Sequence, residues 1–335
     1  MAKVDIPKPT AWPPPKDEQR VTELLEYGYK RDPVGDKIHT AFACLFMFCL
    51  PLETAPASIS EGVLVGHSLL RLPSTWRTLT PLLQSIIFKL LAAWSTWTLL
   101  SMVWSPNPIV GLDMLKTFRM IFLIPILWPI MRQWKYLLLA FLIGVFLQNL
   151  VQLSEVVGSW FLNGKDWLNG GNISALTGFE KHSGKAALFM GFASLAWIGI
   201  LLSSNIHKKV SATCFLLATA GMVATASIAA VVGYVCAVSS LGILLLLSCK
   251  IQFKHLVVTS IILICVATVS WFSVGERITT KTERSIAGVM QFYEGNLQAN
   301  NSASMRLYWW TKTLSEYANQ STPGQWAFGH GMGSV

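Results

Sequence analysis

The sequence predicts an all-α, polytopic integral membrane protein of about nine transmembrane helices, followed by an outer loop that carries an amphipathic helix. Three observations lead there. Charged residues make up 13% of the chain and hydrophobic residues 53%, whereas a soluble domain carries roughly 25% charge. Apolar runs recur at about 20 residues, the length a helix needs to cross a hydrocarbon core of about 30 Å. The runs are continuous rather than alternating, so they read as helices and not as strands of a transmembrane barrel.

Residues 1–37 are polar and hold seven Lys or Arg and the run Trp12-Pro-Pro-Pro15. No cleavable signal peptide is visible there, and the segment reads as a cytoplasmic tail. It is either disordered or holds a short amphipathic helix over Glu18 to Tyr29. Apolar windows bounded by polar residues, Pro or Gly then give nine spans: 38–56, 58–70, 82–104, 114–131, 135–157, 184–203, 208–226, 228–249 and 254–273. The second is short and carries His67, so a tilted or re-entrant segment competes with a full crossing. The chain thus reads as a tail (1–37), a membrane domain (38–273) and an outer loop (274–335), with no internal repeat.

The net charge of +9 marks topology rather than a nucleic-acid partner. With nine spans and a cytoplasmic start, the inner loops hold Arg71, Arg77, Arg132, Lys135, Lys208, Lys209, Lys250 and Lys254, and the outer loops hold far fewer. This positive-inside asymmetry requires the short second span to cross, and it puts the 158–183 loop and everything after Trp271 on the outer face. Trp104, Trp128, Trp134, Trp160, Trp167 and Trp271 fall near span ends, where an indole is half apolar and half wet. All six cysteines lie in or beside apolar runs without a CxxC, and read as small buried hydrophobes.

No phosphate-binding glycine loop, HExxH, GxSxG or acidic DxD pair is present, so nucleotide-dependent and metal-dependent chemistries lose weight. What stands out is an outer face rich in cations: Lys181, His182, Lys185, Arg277, Lys281, Arg284, Arg306, Lys312 and His330. Cations without matching carboxylates suit an anion, and the planar fork of Arg suits phosphate. Lys89, Lys116 and Arg119 lie within spans; Lys116 and Arg119 share a helix face and either snorkel with Asp113 as counter-ion or line the same outer cavity. Arg306-Leu-Tyr-Trp-Trp310 opens an amphipathic helix running to about Tyr317, suited to lie on the outer surface. His330 follows in Phe328-Gly-His-Gly-Met-Gly333, too glycine-rich for helix or strand.

Ser302-x-x-x-Arg306-x-x-x-Trp310 followed by Gly329-His-Gly-Met-Gly333 resembles the signature region of the O-antigen ligase and polymerase superfamily. Trp104-Ser-Pro-Asn-Pro108 ahead of Lys116 and Arg119, and Thr177-Gly-Phe-Glu-Lys-His-Ser183 entering a span, are similar to further stretches of that family. The resemblance implies a bacterial inner-membrane enzyme that moves a glycan from undecaprenyl diphosphate to a lipid A core, without cofactor or metal. It would act on the periplasmic face. A growing glycan or a protein hydroxyl serves as acceptor in polymerases and protein-directed relatives. By the resemblance, Arg306 contacts the diphosphate and His330 activates the acceptor hydroxyl, with Arg284, Lys181, Lys185, Lys116, Arg119 and Trp310 as substrate-binding candidates. Thr225-Ala-Ser-Ile228 departs from the family by carrying Ile where relatives often have Arg, and the chain stops at Val335 where relatives continue, which reads as C-terminal truncation. A transporter or flippase of lipid-linked sugars, or an inactive truncated relative, are the readings from other classes.

Overall fold

The computed structural model describes residues 16–105, 108–163, 179, 183–203, 208–225, 227–247, 279–280, 282–291, 293 and 302–322. Among these every regular element is helical: α1 (Lys16–Arg31), α2 (Pro33–Cys49), α3 (Thr54–Thr75), α4 (Thr80–Gln84), α5 (Ile86–Ser101), α6 (Pro108–Leu127), α7 (Trp134–Asn163), α8 (Ser183–Ser203), α9 (Lys208–Ala224), α10 (Ile228–Leu247) and α11 (Ser302–Gln320). Single 3-10 turns follow α3 (Trp76–Leu79), α5 (Met102–Trp104) and α6 (Trp128–Gln133). Three stretches among the described residues are long and apolar enough to cross a membrane: Ile86–Trp104, Ile121–Glu155 and Gly184–Leu201. Ala229–Leu244 is apolar but shorter. The ninth expected span, 254–273, lies outside the described residues.

The chain forms two compact units, one of residues 1–43, 61–137 and 321–335, the other of 44–60 and 138–320. In the first unit residues 16–31 of the N-terminal segment are helical rather than disordered. Its helix, α1, is held by packing: Gly28 sits so close to Thr78 that a Cβ would meet the Thr78 methyl at 2.7 Å. Cations also sit over its aromatic rings, Arg132 at 4.1 Å from the Tyr29 ring centre and Arg77 at 6.0 Å from that of Tyr27. Asp32 then caps α2, its Oδ1 accepting from the Gly35 N–H at 2.8 Å, with Pro33 pre-set at the first helical position.

Two expected boundaries move. The break between the first two spans falls at residues 50–53 rather than at 57, because Pro51 can neither donate an amide hydrogen nor continue the preceding turn, whereas Pro56 is tolerated in the first turn of α3. The second segment consequently runs 22 residues, Thr54–Thr75, instead of a short 58–70. The inner loop expected around Arg132 and Lys135 is helical throughout, since α6 passes through the 3-10 turn Trp128–Gln133 directly into α7. Pro125 and Pro129 each withdraw an amide hydrogen there, and tightening to 3-10 geometry accommodates the loss. The stretch Ile86–Trp104 is 6% buried, against 44% for Ile121–Glu155, so most of the α5 surface is exposed.

The second unit is built on a core of Phe141, Leu142 and Val145 from α7, Ala187, Met190 and Ala193 from α8, Ala218 and Met222 from α9, and Tyr234 from α10. Small residues let α8 and α9 approach closely: Ala187, Ala193 and Ser194 face Ala218 and Thr219, all fully or nearly fully buried. Such interfaces replace the hydrophobic drive that lipid cannot supply between helices. α7 reaches Asn163, six residues beyond the expected 157, because Val156 to Leu162 offers no proline to stop it.

Candidate functional site

In the second unit a seam of uncharged polar side chains runs through the apolar core. The Thr219 hydroxyl is 2.8 Å from the Phe215 carbonyl, which can only accept, so Thr219 donates there. Ser194 Oγ lies 2.8 Å from Thr219 Oγ1 and 2.6 Å from the Tyr234 hydroxyl. The directional chain is therefore Tyr234 to Ser194 to Thr219 to Phe215 O, joining α10, α8 and α9. Replacing Tyr234 with Phe removes the head of this chain while keeping the ring. The expected cost is about 1 kcal/mol, read as a lower midpoint in reversible SDS unfolding of the full chain.

On α7, Gln148, Asn149 and Gln152 are buried on the adjoining surface. Gln152 Nε2 donates to the Gly221 carbonyl at 3.0 Å, and the Asn149 Oδ1 is buried with no hydrogen-bond partner among the described residues. Gln148 Oε1 accepts the Phe179 N–H at 3.0 Å. That bond ties the backbone at Phe179 to the middle of α7.

The residues expected at the site are distributed as follows. His330 and Lys181 lie outside the described residues. Lys116 and Arg119 are on α6, and their side chains are likewise not described. Lys185 is exposed in the first turn of α8, Arg284 is exposed in the helical residues 282–291, and Arg306 and Trp310 are exposed on α11. Among the described residues no hydrogen bond, ion pair or ring contact joins Lys185, Arg306 and Trp310 to one another. α11 does begin at Ser302, so Ser302, Arg306 and Trp310 follow one another by about one turn along a single helix surface. On its other side, Lys312 sits 5.9 Å and 6.0 Å from the ring centres of Tyr308 and Trp309.

The first unit contains a charged cluster that reading the sequence did not anticipate. Arg71, only 5% exposed, donates from Nε to Asp32 Oδ2 at 2.8 Å and reaches Asp36 Oδ1 at 3.5 Å. The other Asp36 oxygen accepts from Gln133 Nε2 at 2.9 Å, with Arg132 at 3.9 Å. Burial pushes the Asp36 carboxyl above its ordinary range, against the pull of Arg71 and Arg132. Burial also raises Asp32, but hydrogen bonds from Arg71 and the Gly35 amide outweigh it and leave that carboxyl below its ordinary range. Above this cluster His39 Nδ1 and His67 Nδ1 lie 3.2 Å apart, and His39 Nε2 meets the Ile126 carbonyl at 2.9 Å. The sequence signal was present: Asp32, Asp36 and His39 recur at helical spacing where an apolar run begins, and His67 precedes Arg71 by one turn.

Together the described residues make an all-helical protein with three helices able to cross a membrane. No family model, curated protein sequence or solved structure matches the chain.

Proposed function

We propose that the chain is a membrane glycan transferase of the O-antigen ligase type, moving a glycan from undecaprenyl diphosphate to a lipid A core on the outer face of a bacterial inner membrane. The observation that carries this reading is α11. It starts at Ser302 and presents Arg306 and Trp310 exposed, one turn apart, on a segment rich in interfacial aromatics. A diphosphate leaving group already carries its charge, so the protein's task is to hold that charge with cations and to help one hydroxyl lose its proton. Arg306 serves the first role and His330 the second, with Lys185, Arg284 and the Lys181 segment supplying further positive charge. A growing glycan or a protein hydroxyl is the acceptor in the polymerase and protein-directed versions of the same reading.

The packing of the first unit supports the topology this function needs. α1, the 3-10 turn bearing Arg77 and the 3-10 turn bearing Arg132 lie against one another. These are segments that the charge pattern assigns to the cytoplasmic side, so α2 and α3 leave and return, as the crossing of the second span requires. A cysteine placed at Ser302 is then expected to react with an impermeant thiol reagent from outside intact cells; protection there reverses the topology.

The decisive experiment supplies the full chain, in nanodiscs, with an undecaprenyl-diphosphate-linked oligosaccharide and lipid A core. Arg306→Ala and His330→Ala are each expected to lower transfer by about 10²–10³-fold, with thermal stability unchanged in the Arg306 variant because Arg306 is exposed. Undiminished transfer in both variants rejects the reading. A transporter of lipid-linked sugars is the second reading, favoured by the buried Asp32–Arg71–Asp36 charges at the edge of an apolar domain. It predicts that the same variants leave carrier translocation as the only measurable activity.

A further inference from the structure

We propose that His39 and His67 form a proton-binding site, in which two imidazoles share one hydrogen and take up a single further proton that enters through His67. This inference is independent of the glycan-transfer reading. It starts from hydrogen-bond polarity. The Ile126 carbonyl can only accept, so the His39 nitrogen 2.9 Å away, Nε2, carries a hydrogen. That carbonyl is open to His39 because Pro129, three residues on within the 3-10 turn, has no N–H to give it. A neutral His39 then has a bare lone pair on Nδ1, and the ring 3.2 Å away donates to it from its own Nδ1. The resting arrangement reads Ile126 O, accepting from His39 Nε2–H; His39 Nδ1, accepting from His67 Nδ1–H; and His67 Nε2 free as a base.

Burial sets the direction of traffic. His39 is 1% exposed, whereas His67 is only half-buried, its ring packed edge-on against Phe42 at 5.4 Å. A proton arriving from water binds His67 Nε2, the gain is one proton, and the charge rests on the half-buried ring, whose Nδ1–H still donates to His39 Nδ1 while His39 stays neutral and donates to Ile126. A second proton is excluded, because two N–H groups would then face each other across 3.2 Å. Among the described residues no three His, Cys, Asp or Glu groups stand together as metal ligands, which favours a shared proton over a shared metal. The charged groups facing the pair are Arg71 on α3, Asp32 at the start of α2, and beyond them Asp36 and Arg132. Arg71 keeps one nitrogen, Nη1, buried without a hydrogen-bond partner among the described residues. Charging His67, one turn before Arg71 on α3, sets two cations together, so proton uptake acts directly on the Asp32–Arg71–Asp36 ties that join α2 to α3.

The test uses the full chain with 15N-labelled histidine in nanodiscs, with His39→Gln and His67→Gln assigning the two rings. The expected result is a nitrogen–nitrogen coupling across the Nδ1–H···Nδ1 bond and uptake of one proton by the pair, not two, on acidification. In His67→Gln the resonances of His39 stop responding to pH. Two rings that titrate independently, or no cross-bond coupling in the unmodified protein, overturn the proposal. So does added zinc ion that displaces the shared hydrogen. Since the coupling is read on the unmodified chain, a variant that fails to fold does not protect the idea.

Discussion

Replacing Arg71 with Met is expected to cost about 3–5 kcal/mol of stability, because it leaves carboxylates without the guanidinium that holds them. Arg71 is 5% exposed and joins Asp32 and Asp36, and Asp36 is itself nearly inaccessible. The two single-residue losses differ in kind: Asp32 faces water in part, while Asp36 would keep only Gln133 and the more distant Arg132. The pH dependence distinguishes this mechanism from a loss of packing. Asp36 already sits above its ordinary range, so folding favours its neutral form more than the unfolded chain does. Stability from that group is present below the unfolded value of about 3.9 and is lost as pH rises through the raised folded value. Removing Arg71 takes away a charge that holds it down, so the variant is expected to regain stability on acidification from neutral towards acid pH. Asp32 has the opposite sign, since its lowered value contributes stability that is lost only as pH falls below its ordinary range. Reversible unfolding of the full chain at neutral and at acid pH reads the effect, and Arg71→Lys is expected to fall between the parent and Met. An Arg71→Met variant equally weak at both pH values would assign the loss to packing.

Gly144→Leu is expected to be the most damaging change in the second unit. A Cβ built on Gly144 falls onto the Phe48 carbonyl oxygen and within 2.8 Å of the Pro51 ring. The obstacle is the backbone at the end of α2, which cannot swing aside as a flexible side chain does. Overpacking in a yielding core costs about 1–3 kcal/mol, and a backbone obstacle puts this variant at or beyond the upper end. The expected outcome is aggregation during purification, while Gly199→Leu, where a Cβ meets nothing within 4 Å, elutes normally in the same size-exclusion run.

The two substitutions also separate what could be read along the chain from what could not. α8, α9 and α10 are helices over the segments expected at 184–203, 208–226 and 228–249, because each is a continuous apolar run with polar residues at both ends, although of the three only α8 holds a described stretch long and apolar enough to cross a membrane. α11 begins at the serine that the Arg306 spacing singled out. The α2–α3 boundary shifted because hydropathy runs through Leu50-Pro-Leu52 without interruption, and only the missing amide of Pro51 marks the turn. Arg132 and Lys135 looked like a loop for the converse reason: charge interrupts an apolar window but does not interrupt a helix. The pairing within the cluster around Arg71 escaped the local spacing signal for a different cause. Its partners lie 39 residues away at Asp32, and Asp36 meets Gln133 across 97 residues. Counted along the sequence, Arg71 and Arg132 are markers of orientation. Placed in the fold, they are counter-ions.

The exposure of α5 has a consequence for where the protein can reside. A helix buried among neighbours can tilt or lean with them, but only 6% of Ile86–Trp104 is buried, which leaves most of its surface to its surroundings. Its 19 residues, at 1.5 Å each, reach about 28 Å. Trp104 closes one end and Lys89 lies one turn inside the other, a hydrated anchor and an aromatic one. A bilayer much thicker than that stretch has to thin locally around it, at a fraction of a kcal/mol for each ångström of mismatch. α5 therefore acts as a gauge of hydrocarbon thickness, and reconstitution into lipids of graded chain length should find the most heat-resistant protein where the acyl core matches that reach.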